Sequence, residues 1–141
     1  MAESLEQAAQ QSFPRTASCL PEIFAFMDGF FAHAGIGDEH RMPMQFVVEE
    51  WFTNLVKYSR GGTRDIRLDL KREGGRLVIS LTDFGVEPFD IRAVPEVDVN
   101  RDLKDRKPGG LGIHLVKRMV DDIGYEYVDG RSTTTFVKEL E

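Results

Sequence analysis

The sequence predicts an α+β fold: a two-layer α/β sandwich in which one mixed, mostly antiparallel sheet carries helices on one face. Segments with helical periodicity come first, segments with two-residue alternation follow, and a further helix and a hairpin close the chain. A length of 141 residues and a hydrophobic content of 41% suit one domain with a single core. We therefore expect a single domain over residues 1–141.

Two amphipathic helices are predicted in the first half of the chain. Apolar residues recur at steps of three and four over residues 20–34, and the same period returns from residue 38 to about residue 60. Glycines follow both segments and end them. The first apolar stripe is interpreted as core, although part of it is also compatible with a homodimer face. Residues 1–12 are polar without either period, and we expect them to be flexible.

Strands are predicted in the second half. Residues 66–71 and 77–82 alternate apolar with polar side chains around the turn Glu73-Gly74-Gly75, which indicates an antiparallel hairpin. Residues 84–108 show no sustained period and are predicted to be a long loop, which in a compact domain is usually functional.

The last third of the chain is predicted to hold one helix and a closing hairpin. Helical periodicity runs over residues 111–123. Residues 125–128 and 133–137 are then expected to pair as strands around the turn Asp129-Gly130.

Charge and composition exclude several functional classes. Acidic residues outnumber basic ones by 24 to 18, a net charge of −6, which argues against direct nucleic-acid or anionic-membrane binding. Cys19 is the only cysteine, and the histidines at 33, 40 and 114 lack metal-ligand spacing. The start resembles no secretion signal, and no run of about 18 apolar residues occurs. We expect a cytoplasmic protein without a membrane partner.

The first candidate motif lies in the second predicted helix. Glu50 and Asn54 are four residues apart and therefore share one helix face, which Lys57 and Tyr58 extend. A carboxylate can orient a hydroxyl group, and an amide oxygen is a suitable ligand for Mg²⁺. The spacing alone is more typical of a solvated helix surface.

The second candidate motif is Asp83-Phe84-Gly85, at the end of an apolar strand. The carboxylate can accept a hydrogen bond from the exocyclic amine of a base, and the glycine allows a ligand to approach the backbone. An ordinary turn explains the same residues, because Asp and Gly are frequent there.

The third candidate motif is Gly109-Gly110-Leu111-Gly112, which leads into the third helix. Backbone N–H groups at a helix start suit phosphate oxygens, and four basic residues lie just upstream, at 101, 104, 106 and 107. The run is neither a Walker loop nor a dinucleotide fingerprint. A glycine hinge beside a solvated charge run is the alternative.

Taken together, the three motifs resemble those of the GHKL (gyrase, heat-shock-ninety, histidine-kinase, MutL) ATPases. Residues 49–58 resemble that family's N box, residues 83–90 its first glycine box and residues 109–116 its second. The similarity runs from about Phe13 to the carboxyl end, and it is greatest to the stand-alone serine/threonine kinases that act as bacterial anti-sigma factors.

The resemblance implies a Bergerat fold that holds ATP and Mg²⁺ between helices and sheet. It implies that Glu50 is the general base, that Asn54 is the Mg²⁺ ligand and that Lys57 lies near the phosphates. Residues 89–108 would form the lid over the nucleotide. The remaining implied nucleotide-binding residues are Asp83 for the adenine amino group, Gly85 for close approach, Thr134 for support of the adenine pocket, and Gly110, Leu111 and Gly112 for the phosphates.

Three features depart from the family pattern. Glu87 and Pro88 stand where many relatives have a further glycine, and Tyr58 stands where many have histidine. The predicted lid, residues 89–108, is not rich in glycine. These differences concern nucleotide affinity and lid motion more than fold.

Two functions follow from the resemblance. The first is a kinase that transfers the γ-phosphoryl group of ATP to an antagonist protein of the anti-anti-sigma type and regulates a sigma factor or similar target. The second is a regulatory module that binds ATP or ADP and transfers nothing. The catalytic half of a histidine kinase is disfavoured, because about 35 residues before the N box cannot hold a helical hairpin with the phosphorylated histidine.

Overall fold

The computed structural model describes residues 6–94 and 110–141, which form five strands and three helices. In chain order, the elements are β1 (Glu6–Phe13), α1 (Leu20–Ala34), α2 (Asp38–Tyr58), β2 (Ile66–Glu73), β3 (Arg76–Phe84), α3 (Gly110–Met119), β4 (Asp122–Val128) and β5 (Arg131–Glu139). Short 3-10 turns lie at Ala17–Cys19 and Ile91–Ala93.

The five strands form one sheet in the order β1-β2-β3-β5-β4. Every pairing among these described strands is antiparallel, so the predicted mixed sheet is in fact wholly antiparallel there. Alternate residues of β2, β3 and β5 are buried against the helices, while the residues between them stay partly exposed. The predicted α+β two-layer sandwich, with helices on one face, is confirmed.

The core lies between the sheet and the helices. Trp51 and Phe52 of α2 are fully buried, as are Ile23 and Met27 of α1. Burying a large side chain of this kind contributes about 1.5–3 kcal/mol, so this layer fixes how α2 sits on the sheet. Among the described helices, none is long and apolar enough to cross a membrane.

Strand β1 corrects the expectation that residues 1–12 are flexible. Strand β1 pairs with β2 along its whole length, from Glu6 opposite Glu73 to Phe13 opposite Ile66. An edge strand is held mainly by backbone hydrogen bonds, so it needs little apolar alternation. Phe13 is its one residue in the buried core, which explains why the period was not visible in the sequence.

The third helix is shorter than predicted. It ends at Met119, and Ile123 belongs to β4, where it lies opposite Phe136 of β5. The backbone N–H of Asp121 already bonds the carbonyl of Val137, so the chain joins the sheet at this point. The apolar spacing of residues 120 and 123 continues the helical period, and sheet pairing overrides that local pattern.

Candidate functional site

Helix α2 places Glu50 and Asn54 one turn apart on one face, and Glu50 lies against the start of α3. The buried residues Val47, Trp51 and Leu55 fix the rotation of the helix against the core. Asn54 is only 6% exposed, and its Nδ2 donates to the carbonyl of Glu50 at 2.6 Å. Because the two amide atoms diverge, Oδ1 points away from that carbonyl and is the atom suited to a hard cation.

Glu50 lies directly against the first turn of α3. A Cβ atom added at Gly112 would overlap the Glu50 carboxylate, so only glycine permits this contact. Burial raises the pKa of Glu50, the neighbouring Glu49 raises it further, and Lys57 opposes both. A carboxylate whose pKa moves toward neutrality is better suited to accept a proton from a hydroxyl group.

The start of α3 provides the phosphate end of the candidate site. Gly110 is the first residue of the helix, and Leu111 is 47% exposed beside it. Lys57 is exposed on α2. The first N–H groups of a helix have no partner within it and attract anions. Gly109 and the basic residues at 101, 104, 106 and 107 lie outside the described residues, as does the predicted lid from residue 95 onward.

Asp83 provides the other end of the site, and Arg15 is paired with it. The carboxylate is completely buried at the end of β3. Arg15 Nη1 lies 2.5 Å from Oδ1 and Nη2 lies 3.1 Å from Oδ2, a two-pronged ion pair. Nη2 also donates to the carbonyl of Leu55, and Nη1 to that of Arg64. Removing one partner of such a buried pair costs about 3–5 kcal/mol.

Three glycine turns meet beyond Asp83. Gly61, Gly85 and Gly130 all have positive φ, at 86°, 68° and 78°. A Cβ atom at Gly61 would lie 3.1 Å from the carbonyl oxygen of Gly85, so the two backbones approach closely. The N–H of Val86 also bonds the carbonyl of Gly130 at 3.0 Å. Gly85 is thus required by its backbone conformation, whether or not a ligand approaches it.

A chain of hydroxyl groups runs beside Asp83. Ser132 lies opposite Asp83 in the sheet, and its hydroxyl contacts that of Tyr125 at 2.8 Å. The N–H of Phe89 donates to the same tyrosine oxygen at 2.9 Å, and the Phe89 ring packs on Trp51. The first residues of the predicted lid are therefore held against the sheet and α2.

Thr134 is buried on β5, opposite Leu81. It lies two residues from Ser132 on the same inward face of the sheet. The structure thus brings Glu50 against the start of α3, with Asn54 one turn along α2, and it places Asp83 and Thr134 on the paired strands β3 and β5.

Arg15 and Ser132 were not predicted from the sequence. A fully buried carboxylate is seldom left unpaired, so a cation near Asp83 was to be expected. Among 18 lysines and arginines, however, nothing in the sequence marks Arg15. Only the pairing of β1 with β2 brings it to the end of β3, 68 residues away along the chain.

Comparisons with known proteins agree with this architecture. The chain is 27% identical over 123 residues to the serine-protein kinase RsbW of Listeria monocytogenes, covering 82% of this chain and 78% of that protein. It is 31% identical over 109 residues to the sensor protein BceS of Halalkalibacterium halodurans, covering 70% of this chain but only 32% of the sensor.

Two solved structures share the fold. The RsbU and RsbW domains of a Mycobacterium tuberculosis protein superpose with a TM-score of 0.65 at 15% identity, over 95% of this chain and 32% of that one. The SiaB–SiaC complex of Pseudomonas aeruginosa gives a TM-score of 0.54 at 18% identity, over 92% and 88%. The model of the histidine kinase-like ATPase domain matches residues 13–138, and the chain therefore belongs to that family.

Proposed function

We propose that this chain is an ATP-dependent serine/threonine protein kinase of the anti-sigma type. It transfers the γ-phosphoryl group of ATP, with Mg²⁺, to a hydroxyl group of an antagonist protein and regulates a sigma factor or analogous target. The observation that carries the proposal is the position of Glu50: partly buried, with a raised pKa, against the glycine-lined start of α3 and one turn from Asn54.

This geometry suits phosphoryl transfer, which mainly requires positioning of the reactants and neutralisation of charge. Asn54 Oδ1 would ligate Mg²⁺, the start of α3 would bind phosphate oxygens, and Mg²⁺ would offset the charge of the triphosphate. Glu50 would orient the acceptor hydroxyl group and accept its proton.

The similarity to a Listeria serine-protein kinase over 78% of that protein supports transfer to a protein hydroxyl group. The Pseudomonas neighbour is solved in complex with a second protein, which supports a protein partner for this chain as well.

Replacing the carboxylate by an amide tests the proposal. Glu50→Gln should lower transfer from labelled ATP to the antagonist by about 10²–10⁴-fold, because the general base is lost. The dissociation constant for ATP should change little. Glu49→Gln, one residue away on the same helix, is the matched control and should keep most of the activity. Withholding Mg²⁺ should abolish transfer by the wild type.

A different result would favour the second function. If the wild type binds ATP but phosphorylates none of the candidate antagonist proteins, the chain is a regulatory module that responds to ATP or ADP without kinase activity. Equal transfer by wild type and Glu50→Gln would instead remove Glu50 from the mechanism.

A further inference from the structure

We infer that Arg15 is an internal competitor for the base-binding carboxylate: a nucleotide can reach Asp83 only after the Arg15 guanidinium has left it. This inference rests on the proposed function, since it concerns the adenine end of the same site. It adds a step of regulation that the positions of Glu50 and Asn54 do not imply.

Asp83 is inaccessible while Arg15 is paired with it. Its side chain is 0% exposed with Arg15 in place, so not even water reaches the carboxylate from outside. Both carboxylate oxygens accept from the guanidinium, one from each terminal nitrogen. A base that carries an exocyclic amine is much larger than a water molecule, and it therefore cannot contact Asp83 in this arrangement.

The Arg15 guanidinium is enclosed by a helix, the sheet and a turn. The guanidinium donates to Leu55 of α2 as well as to Asp83 of β3, so it bridges the helix and the sheet. On a third side it fills the space where a side chain at residue 62 would lie, because a Cβ atom added at Gly62 would overlap it. A flat cation thus lies between helix, sheet and turn, where a flat base would have to lie to bond Asp83.

Arg15 is also the group best able to move. Asp83 itself belongs to strand β3, where it lies opposite Ser132 of the paired strand β5. Arg15 lies between the end of β1 and the 3-10 turn at Ala17–Cys19, outside any regular element, and its side chain is 12% exposed. Rotation of this one side chain opens the carboxylate while strands β3 and β5 stay paired.

The consequence is a reduced apparent affinity. When only a fraction of molecules has the binding-competent arrangement, the apparent dissociation constant rises by the inverse of that fraction. Removing the competitor should therefore tighten nucleotide binding, although it removes a positive charge from a site for an anionic ligand. If Arg15 merely attracted the nucleotide, its removal would weaken binding.

Calorimetric titration of ATP into Arg15→Ala and Arg15→Met tests the inference. In both variants the dissociation constant for ATP should be lower than in the wild type by about tenfold or more. Arg76→Ala is the matched control, since it removes an arginine whose ion pair with Glu139 is half exposed at another edge of the fold, and it should leave the dissociation constant unchanged. An equal or weaker affinity in the Arg15 variants would overturn the inference.

A measurement on the wild type covers the case in which the variants fail to fold. The Nε–H resonance of Arg15 should shift on titration with adenosine and not with inorganic triphosphate, because only the base requires Asp83. An unchanged resonance at saturating adenosine would overturn the inference while nucleotide binding stands. If neither wild type nor variants bind ATP, the proposed function fails and the inference fails with it.

Discussion

The two ends of the candidate nucleotide site differ in how they are built. The adenine end is closed: Asp83 is fully buried, and Arg15 occupies both carboxylate oxygens. The phosphate end depends on a contact between side chain and backbone, Glu50 against Gly112, next to the residues that the structure does not describe. Substitutions at the adenine end should therefore change protein stability and nucleotide affinity, and substitutions at the phosphate end should change the rate of phosphoryl transfer.

The largest effect on stability is expected at the adenine end. Asp83→Asn leaves Arg15 without its buried counter-charge and should lower the free energy of unfolding by about 3–5 kcal/mol. Asp69→Asn, which removes a partly exposed partner of Arg67, should cost no more than about 1 kcal/mol. Urea denaturation of both variants compares the two pairs, and similar losses would show that burial does not distinguish them.

Gly112→Ala should separate transfer from stability at the phosphate end. The added methyl group displaces the Glu50 carboxylate, the free end of a flexible side chain, so the fold should tolerate it. A misplacement of about 1 Å can lower the rate of transfer by about 10²-fold. Gly124→Ala, whose methyl group would make only an ordinary 3.9 Å contact with Thr135, is the control for phosphotransfer assays. Full activity in Gly112→Ala would contradict the assigned position of Glu50.

A smaller loss of stability is expected when the hydrogen bonds of Tyr125 are removed. Tyr125→Phe removes the acceptor for the N–H of Phe89 and the partner of the Ser132 hydroxyl group. We expect a loss of about 1 kcal/mol, measured by thermal unfolding. Tyr58→Phe, at a 39% exposed tyrosine, should be neutral. No loss in Tyr125→Phe would indicate that the packing of Phe89 on Trp51 alone holds this segment.

The smallest effect concerns the pH dependence of stability. Because burial raises the pKa of Glu50 above its ordinary value of 4.5, the folded state keeps this proton longer than the unfolded state. The contribution of Glu50 to stability therefore falls as the pH rises from about 4.5 through the folded pKa. Glu50→Gln should gain melting temperature relative to wild type over this window and not below it. A difference independent of pH would refute the raised pKa.

Much of the fold could be predicted, because its signals are local. Helices α1 and α2 and the two hairpins follow from apolar spacing and from glycines at turns. Strand β1 and the end of α3 could not be predicted in this way. Both depend on partner strands that are adjacent only in the folded chain. The polar edge strand β1 is held by β2, and Ile123 is drawn into β4 by its pairing with β5.

The site shows the same division. Glu50 and Asn54 share a helix face by their spacing alone, and Asp83 ends an apolar strand. The contact of Glu50 with Gly112 and the pairing of Asp83 with Arg15 join residues that are 62 and 68 positions apart. The order of the motifs was enough to indicate the family. The contacts between distant residues could not be predicted, because sheet register and helix packing decide them.

Because Arg15 follows the edge strand β1 closely in the chain, its ion pair with Asp83 affects more than the pocket. Only Pro14 separates Arg15 from Phe13, the last residue of β1, so the ion pair also fastens the outer strand to the centre of the sheet. Coupling between two sites is reciprocal. A base that draws Arg15 away from Asp83 would lower the protection of the β1 amides against hydrogen exchange, and fraying of β1 would strengthen base binding to the same degree.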